Sequence, residues 1–131
     1  MRYLLDTNAV IGLLKDTTSA LATRARREHL ADVATSAIVM HELFYGAFKS
    51  QRRQQNLALV DALQFSVLEL DKDDARAAAE IRAHLAMLGM PIGPYDVLIA
   101  GQALARNLIL VSHNTREFSR VAHLRLEDSE G

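Results

Sequence analysis

The amino-acid sequence predicts an α/β fold with a mainly parallel central sheet of four to five strands and helices on both of its faces. Short apolar segments alternate along the chain with longer segments of helical periodicity, and this alternation is typical of parallel sheets. Half of the 131 residues are hydrophobic and 24% are charged, which is the composition of a folded protein. No linker, repeat or low-complexity stretch interrupts the chain, so we expect one domain over residues 1–131.

The predicted strands are short runs of aliphatic residues bounded by polar ones. The first of them, Tyr3-Leu4-Leu5, ends directly at an acidic residue, Asp6. We expect strands at residues 2–5, 33–35, 66–70 and 108–111, with a weaker fifth strand near 124–126.

The predicted helices lie between these strands and carry recognisable start and stop signals. Ser36 and Asp71 stand where N-cap residues are favoured. Gly89 and Pro91 are typical of a helix end, and Pro94 suits the first position of the next helix. We expect helices at residues 7–15, 18–31, 37–49, 52–64 and 72–88, another that begins at Gly93-Pro94, and a short one that begins at Asn114-Thr115.

Asp6 is the first candidate site residue, because it lies where the first strand leaves the sheet. A carboxylate so close to a core is costly unless a partner or a metal ion compensates its charge. The alternative is a plain N-cap, in which the side chain accepts hydrogen bonds from the next turn of helix. Taken alone, capping is the simpler interpretation of Asp6.

Glu42 and Asp96 are the second and third candidates. Glu42 lies in a helix that is apolar on nearly every side, so burial is expected, with an arginine partner as the alternative. His41-Glu42 begins the zinc motif H-E-x-x-H, but Tyr45 stands at the second histidine position and the motif fails. Asp96 is the third residue of its helix, where the helix dipole alone favours an acid by roughly 0.3–1 kcal/mol.

One convergent site explains all three acids together. Two carboxylates about 4 Å apart repel each other by roughly 4 kcal/mol at an effective dielectric of 20, so a shared cleft needs a cation or a proton. Since the chain has no cysteine and no clustered histidines, oxygen ligation of Mg²⁺ or Mn²⁺ is favoured over zinc. We expect Asp6 and Asp96 to be the metal ligands, with Glu42 as the third catalytic acid.

Weaker candidates surround these acids. In parallel sheets, ligands sit beyond the carboxyl ends of the strands, so Asp6 and Ser112 line one cleft if the first and fourth strands are neighbours. Turn chemistry explains Asn8 and Ser112 equally well, an N-cap explains Asn114, and an arginine partner explains Glu117. The candidate residues for contact with a metal-bound water or with the substrate are Asn8, Ser112, Asn114 and Glu117.

Charge is unevenly distributed along a chain whose net charge is only −1. If nucleic acid binds, it must therefore use a local basic patch, whereas solvated helix faces are the simpler alternative. No stretch is suited to spanning a membrane, and the absence of cysteine suits the cytoplasm. The candidate contacts to a nucleic-acid backbone are Lys15, Arg24, Arg26, Arg27, Lys49, Arg52 and Arg53.

Four segments, in order, resemble the motifs of PIN-domain proteins, specifically the VapC toxins of bacterial toxin–antitoxin pairs. The resemblance covers nearly the whole chain, and "IGPYDVLIAGQAL" is its most distinctive part. The other three segments are "LLDTNAVIGLLK", "TSAIVMHELFYGA" and "LILVSHNTREFSRVAHLRLED".

The resemblance implies a three-layer α/β/α fold and a Mg²⁺- or Mn²⁺-dependent endoribonuclease that hydrolyses RNA phosphodiester bonds, plausibly of tRNA, to inhibit translation. Asp6, Glu42 and Asp96 match the family's acidic triad. Ser112-His113-Asn114 falls at a fourth position where many members carry an acid, and this chain offers none there. A VapB-like antitoxin, a homodimer, and binding of operator DNA through the antitoxin complex are also implied.

Two other functions remain open from the residues. Asp6 could be the nucleophile of a phosphatase or phosphotransferase, although Asn8 replaces the second aspartate that such enzymes usually carry. A PIN-like module could also bind RNA or protein without cutting it.

Overall fold

The computed structural model describes residues 1–15 and 32–130. Its centre is a five-stranded sheet in the order β3-β2-β1-β4-β5, and every neighbouring pair is parallel. The α/β fold class predicted from the sequence is therefore confirmed. The strands are β1 Tyr3–Leu5, β2 Val33–Ser36, β3 Ser66–Leu68, β4 Ile109–Ser112 and β5 Leu126–Asp128.

Helices flank this sheet at nearly the predicted positions. The predicted helix at 18–31 lies outside the described residues. None of the helices in the described part of the chain has the length and apolar character that a membrane crossing requires. The helices are α1 Thr7–Lys15, α2 Ala37–Phe48, α3 Arg53–Asp61, α4 Lys72–Met87, α5 Pro94–Ala105 and α6 Thr115–Phe118.

The central strand β1 sets the position of the site. Leu5 lies opposite Thr35 of β2 on one side and Val111 of β4 on the other. Continuing this register by one residue places Asp6 level with Ser36 and Ser112, the last residues of their strands. We call this edge of the sheet, where β1, β2 and β4 all end, the carboxyl edge. It is also the point at which the chain switches from one half of the sheet to the other, where ligands of such folds bind.

Burial is deepest in the middle of the sheet and explains why these short strands are stable. Leu4, Ala34 and Leu110 are completely buried on three neighbouring strands. Strands buried on both faces are continuously apolar rather than alternating, as the sequence of β1 already indicates. Phe118 of α6 and Ile99 of α5 are the large side chains that complete the packing.

Two predicted strands need correction. β3 was expected over 66–70 but ends at Leu68, because the carbonyl of Glu69 accepts hydrogen bonds from Gln102 and Arg106 instead of a strand neighbour. The fifth strand was expected near 124–126 but is shifted to Leu126–Asp128, since its position is set by pairing with β4.

A buried polar network connects α4 to α5. Asp74 is completely buried and forms a capping box with Asp71 at the start of α4. Arg106 donates to the Asp74 carboxylate at 3.0 Å, and Gln102 donates to it at 3.2 Å. Burial alone would raise the pKa of Asp74, but the hydrogen bonds from Arg106, the Asp71 backbone and Gln102 outweigh it and hold the pKa below its usual range. The network fixes α5, the helix that carries Asp96, against its neighbour.

These helices approach each other closely at Gly101 of α5. A Cβ atom at this position would lie 2.5 Å from the Cα atom of Ala78 in α4. Backbone cannot yield as a flexible side chain can, so a methyl group here would push the helices apart.

We therefore expect Gly101→Ala to lower the free energy of unfolding by roughly 1–3 kcal/mol, the usual cost of overpacking a core. The measurement is urea denaturation followed by circular dichroism. Gly46→Ala is the matched control, since Gly46 is also within a helix but has open space around it. The control should be neutral or more stable by up to about 1 kcal/mol. Equal stabilities of the two variants would contradict the close packing.

Candidate active site

Asp6 begins α1 at the carboxyl edge. Its Oδ1 accepts a hydrogen bond of 2.9 Å from the backbone N–H of Ala9, so the capping interpretation is correct for this residue. The carboxylate also accepts a hydrogen bond from the side chain of Ser112. Burial nevertheless raises the pKa of Asp6, and the nearby charge of Glu42 raises it further. Asp6 is thus both a helix cap and part of a group of acids.

Glu42 lies on α2 and accepts a hydrogen bond from α1. The hydroxyl of Thr7 donates a hydrogen bond of 2.8 Å to Oε1 of Glu42. The arginine partner that we weighed for Glu42 is not found in the described part of the chain. Thr7 is a site residue that the sequence interpretation missed, although it stands directly after Asp6. A hydroxyl between two candidate residues, Asp6 and Asn8, was the available signal.

Asp96 is the third residue of α5, which begins at Pro94 as predicted. Burial raises the pKa of Asp96 most, the charges of Asp6, Glu42 and Glu117 add to it in that order, and together they bring it to about 6. Three carboxylates from separate parts of the chain therefore act on Asp96 at the carboxyl edge. The entrance of α5 is also tight, because a Cβ atom at Gly93 would lie 3.3 Å from Oδ2 of Asp96.

The loop after β4 closes the group on the other side. Ser112 is completely buried, and its Oγ accepts a hydrogen bond of 2.9 Å from the backbone N–H of Asn114. The side chain of Asn114 donates to Oε2 of Glu117 at 2.8 Å. Asn114 stands at the N-cap of α6, but its side chain makes no capping hydrogen bond, so the expectation that it caps through its side chain is wrong. Its amide instead orients Glu117 toward the other acids.

His113 places an imidazole beside this group of acids. Its Nδ1 lies 3.0 Å from Oδ1 of Asp128, and its Nε2 lies 3.5 Å from Oε2 of Glu130. The hydrogen bond with Asp128 and the charge of Glu130 raise the pKa of His113. The charge of His113 acts on Asp6 as well and lowers its pKa, against the larger effect of burial. Within Ser112-His113-Asn114, where the resemblance implies a fourth acid, this chain therefore presents a histidine held by two acids of its C-terminal segment.

The remaining candidates lie on the surface or outside the described residues. Asn8 is exposed at the start of α1. Lys15, Lys49, Arg52 and Arg53 are also exposed. The Nζ atom of Lys49 lies 4.8 Å from the centroid of the Tyr45 ring, which is cation–π distance. Arg24, Arg26 and Arg27 lie outside the described residues.

A divalent ion fits the chemistry of this group, although the described residues form no closed metal cage. Across residues 1–15 and 32–130, no three His, Asp or Glu side chains are grouped so as to hold a metal ion. Mg²⁺ typically binds one or two carboxylates and keeps several waters, so it needs no such cage. The donors at the carboxyl edge are oxygen atoms, and the like charges that raise the pKa of Asp96 would be relieved by a cation. Asp6 and Asp96 could hold such an ion.

The comparisons with known proteins agree with this fold. A parallel sheet of this order with acids at its carboxyl edge has the form expected of the PIN class, and the PIN domain family model matches residues 3–124.

Two proteins with similar sequences have the names of nucleases. The tRNA(fMet)-specific endonuclease VapC of Shigella flexneri is 40% identical, with 98% of each chain covered. Ribonuclease VapC of Haemophilus influenzae is 37% identical over the same shares. The crystal structure of DNA-bound VapBC from Salmonella typhimurium superimposes with a TM-score of 0.92 at 37% identity, again over 98% of each chain. The chain therefore belongs to the PIN-domain family and, within it, to the VapC group.

The raised pKa of Asp96 predicts a measurable effect on stability. An acid whose folded pKa of about 6 exceeds its ordinary value of 3.8 costs stability when it ionises, so that stability falls as the pH rises from about 4 to about 6. Asp96→Asn removes this cost. We expect the variant to be more stable at pH 7.5 without divalent ions, by about 1 kcal/mol once solvent screening is allowed for.

The measurement is urea denaturation of both proteins in EDTA at pH 7.5 and at pH 4. At pH 4 the gain should disappear, because the aspartate is then protonated in the folded protein. Equal free energies of unfolding at pH 7.5 would show that its surroundings do not raise the pKa of Asp96.

Proposed function

We propose that this protein is a metal-dependent endoribonuclease toxin that hydrolyses RNA phosphodiester bonds and thereby inhibits translation. The observation that carries the proposal is the convergence of Asp6, Glu42 and Asp96 at one edge of the sheet, from the end of β1, from α2 and from α5. Burial there, with the charges of the other acids, raises the pKa of Asp96 to about 6. The relatives named above are an endonuclease and a ribonuclease, which supports the same activity for this chain.

Mg²⁺ or Mn²⁺ is the proposed cofactor. Asp6 and Asp96 would hold the ion, because both are aspartates with raised pKa values at the carboxyl edge. When bound, such an ion neutralises the carboxylates, lowers the pKa of a coordinated water and stabilises charge on a phosphate. Hard cations of this kind prefer the oxygen donors that this site offers.

The chain's own side chains would then orient the reactants. Thr7 holds one oxygen of Glu42, so the other is left to orient the attacking water and accept its proton. Ser112 holds Asp6 in place, and Asn114 holds Glu117 where it can reach the site through a water molecule. The water oxygen forms a bond to phosphorus in line with the leaving 3′-oxygen. The P–O3′ bond breaks, and the 3′-oxygen takes up a proton. The products are a 5′-phosphate and a 3′-hydroxyl.

Transfer RNA is the first substrate to test. The Shigella flexneri relative carries tRNA(fMet) in its name and is similar over almost the full length of both chains. Lys15, Lys49, Arg52 and Arg53 are exposed and would contact the RNA backbone, which makes binding sensitive to salt. Arg24, Arg26 and Arg27 are proposed to contact the RNA backbone as well.

The proposed partner is a VapB-like antitoxin, encoded beside this chain. The Salmonella typhimurium structure is of a VapBC complex bound to DNA, which supports a partner protein and binding of operator DNA through the complex. We propose that the toxin is a homodimer in the cytoplasm. A basic side chain of the antitoxin that reaches the acids of the carboxyl edge would block the site by charge.

A module that binds RNA or protein without cutting is the second candidate function. It is favoured by the lack, within the described residues, of three acidic or histidine side chains grouped to hold an ion. A phosphotransferase that uses Asp6 as nucleophile is disfavoured, since Asp6 is only 4% exposed and accepts hydrogen bonds from Ala9 and Ser112.

The decisive experiment is incubation of the purified protein with total RNA and with tRNA, in Mg²⁺, in Mn²⁺ and in EDTA, with the cut ends mapped. We expect cleavage with either ion and none in EDTA. Asp6→Asn and Asp96→Asn should each reduce the rate by about a hundredfold or more, because each removes a charge that the transition state needs. Asp73→Asn is the matched control, since Asp73 lies exposed in the first turn of α4.

The control variant should cut at the parental rate. RNA that is bound but never cut under any of these conditions would favour the non-catalytic module. Cleavage by Asp96→Asn at near the parental rate would remove the assigned role of the acids.

The partner is tested with the product of the neighbouring open reading frame. We expect the two proteins to copurify when produced together and the complex to lose the cleavage activity of the toxin alone. The measurement is size-exclusion chromatography followed by the same RNA assay. A toxin that elutes alone and keeps cutting in the presence of the second protein would contradict the pairing.

A further inference from the structure

Two aromatic rings meet beside the acids of the carboxyl edge. His41 of α2 and Tyr95 of α5 form an edge-to-face pair, with ring centroids 5.6 Å apart and planes inclined by 61°. Each ring belongs to the residue directly before a site acid, Glu42 or Asp96. The pair therefore connects the two helices at the level of these acids.

Both rings are open to solvent. The side chain of Tyr95 is 45% exposed, and His41 is exposed as well. An edge-to-face contact covers at most one face of one ring, so flat aromatic surface remains available beside the site. Single exposed aromatic residues are common on protein surfaces, but two in contact at the rim of a site offer a built platform.

Basic and aromatic side chains continue from this pair along α2. Tyr45 follows His41 by one turn of helix and is 61% exposed. Lys49 follows Tyr45 by another turn, and its ammonium lies over the Tyr45 ring. Arg52 and Arg53 are the next exposed cations along the chain. Aromatic faces for bases combined with cations for phosphates are the features with which proteins bind single-stranded nucleic acid.

We propose that His41 and Tyr95 form a stacking platform for an unpaired RNA base next to the scissile phosphate. The inference rests on the proposed nuclease function and adds a binding role for two residues that the acidic site does not use. A base stacked there would hold the neighbouring phosphate against the acids, so that cleavage requires a strand whose bases are free to unstack.

Charge favours RNA over a second copy of this chain as the occupant of the platform. Lys49, Arg52 and Arg53 would face their own counterparts if two copies met on this surface about a twofold axis, and like charges then oppose association. A polyanion gains from the same residues. The polar groups on both rings also suit a base edge better than an apolar protein surface.

The test is a comparison of protein variants against abasic RNA. The probe is a fluorescently labelled oligoribonucleotide of about twelve nucleotides that contains the bond cut by the parental protein, a length within the range of known single-strand sites. Its affinity is measured by anisotropy in EDTA, and its length is checked after each titration. Further probes lack one base at a time on either side of that bond.

We expect the parental protein to lose about fivefold or more in affinity when one particular base is missing, the usual cost of removing a stacked base. Tyr95→Leu and His41→Leu should bind the intact probe as weakly as the parental protein binds the probe that lacks this base. Removal of the same base should not weaken the binding of these variants further. Tyr95→Phe keeps the ring and should keep both the affinity and the sensitivity. Circular dichroism establishes that each variant is folded.

Three results would overturn the platform. Leucine variants that bind the intact probe as tightly as the parental protein would exclude stacking. Weaker binding accompanied by a fall in solution mass would mean that the rings cover another copy of the chain. If the parental protein cuts no RNA at all, the proposed function fails together with the platform. If the parental protein cuts RNA but the leucine variants bind the probe as tightly as it does, only the platform is overturned.

Discussion

The position of β1 between two parallel neighbours is the constraint on which the whole site depends. Because β1 pairs with β2 and with β4 in the same direction, all three strands deliver their following residues to one edge. Asp6 arrives there between Ser36 and Ser112, with α1 starting at its own carboxylate. A chain that paired β1 on one side only would leave Asp6 at an open edge, solvated and far from the loop after β4.

Two aspartates of this fold show how surroundings decide the state of a carboxylate. Asp74 is completely buried, yet its pKa lies below the usual range because Arg106, the Asp71 backbone and Gln102 donate to it. Asp96 is less buried, yet its pKa is raised, because its burial and the charges of the neighbouring acids act in the same direction. The first arrangement stabilises the contact between α4 and α5. The second is a local cost that this stable framework has to tolerate, as is common where a protein prepares a binding site.

The sequence alone predicted the elements that local residue patterns determine, but it did not predict contacts between residues far apart in the chain. Periodicity placed β1, β2 and β4 to within a residue or two, and Pro94 marked the start of α5. The shift of the fifth strand came from pairing with β4, which local patterns do not encode. Likewise, the bond from Thr7 to Glu42 spans 35 residues, and the His41–Tyr95 contact joins two helices far apart in the chain. The acids and two residues that orient them, Ser112 and Asn114, could be proposed from the sequence, whereas Thr7 and the His41–Tyr95 contact could not.

The attachment of the C-terminal segment has a practical meaning for anyone who modifies this protein. Asp128 and Glu130 bind the imidazole of His113, directly after the buried Ser112 that holds Asp6. Met1 lies before β1, at the opposite edge of the sheet, where its amino group is 3.7 Å from Asp32. An affinity tag or a fluorescent fusion added after Glu130 would therefore start beside the acids and disturb their surroundings. The same addition before Met1 would project away from them.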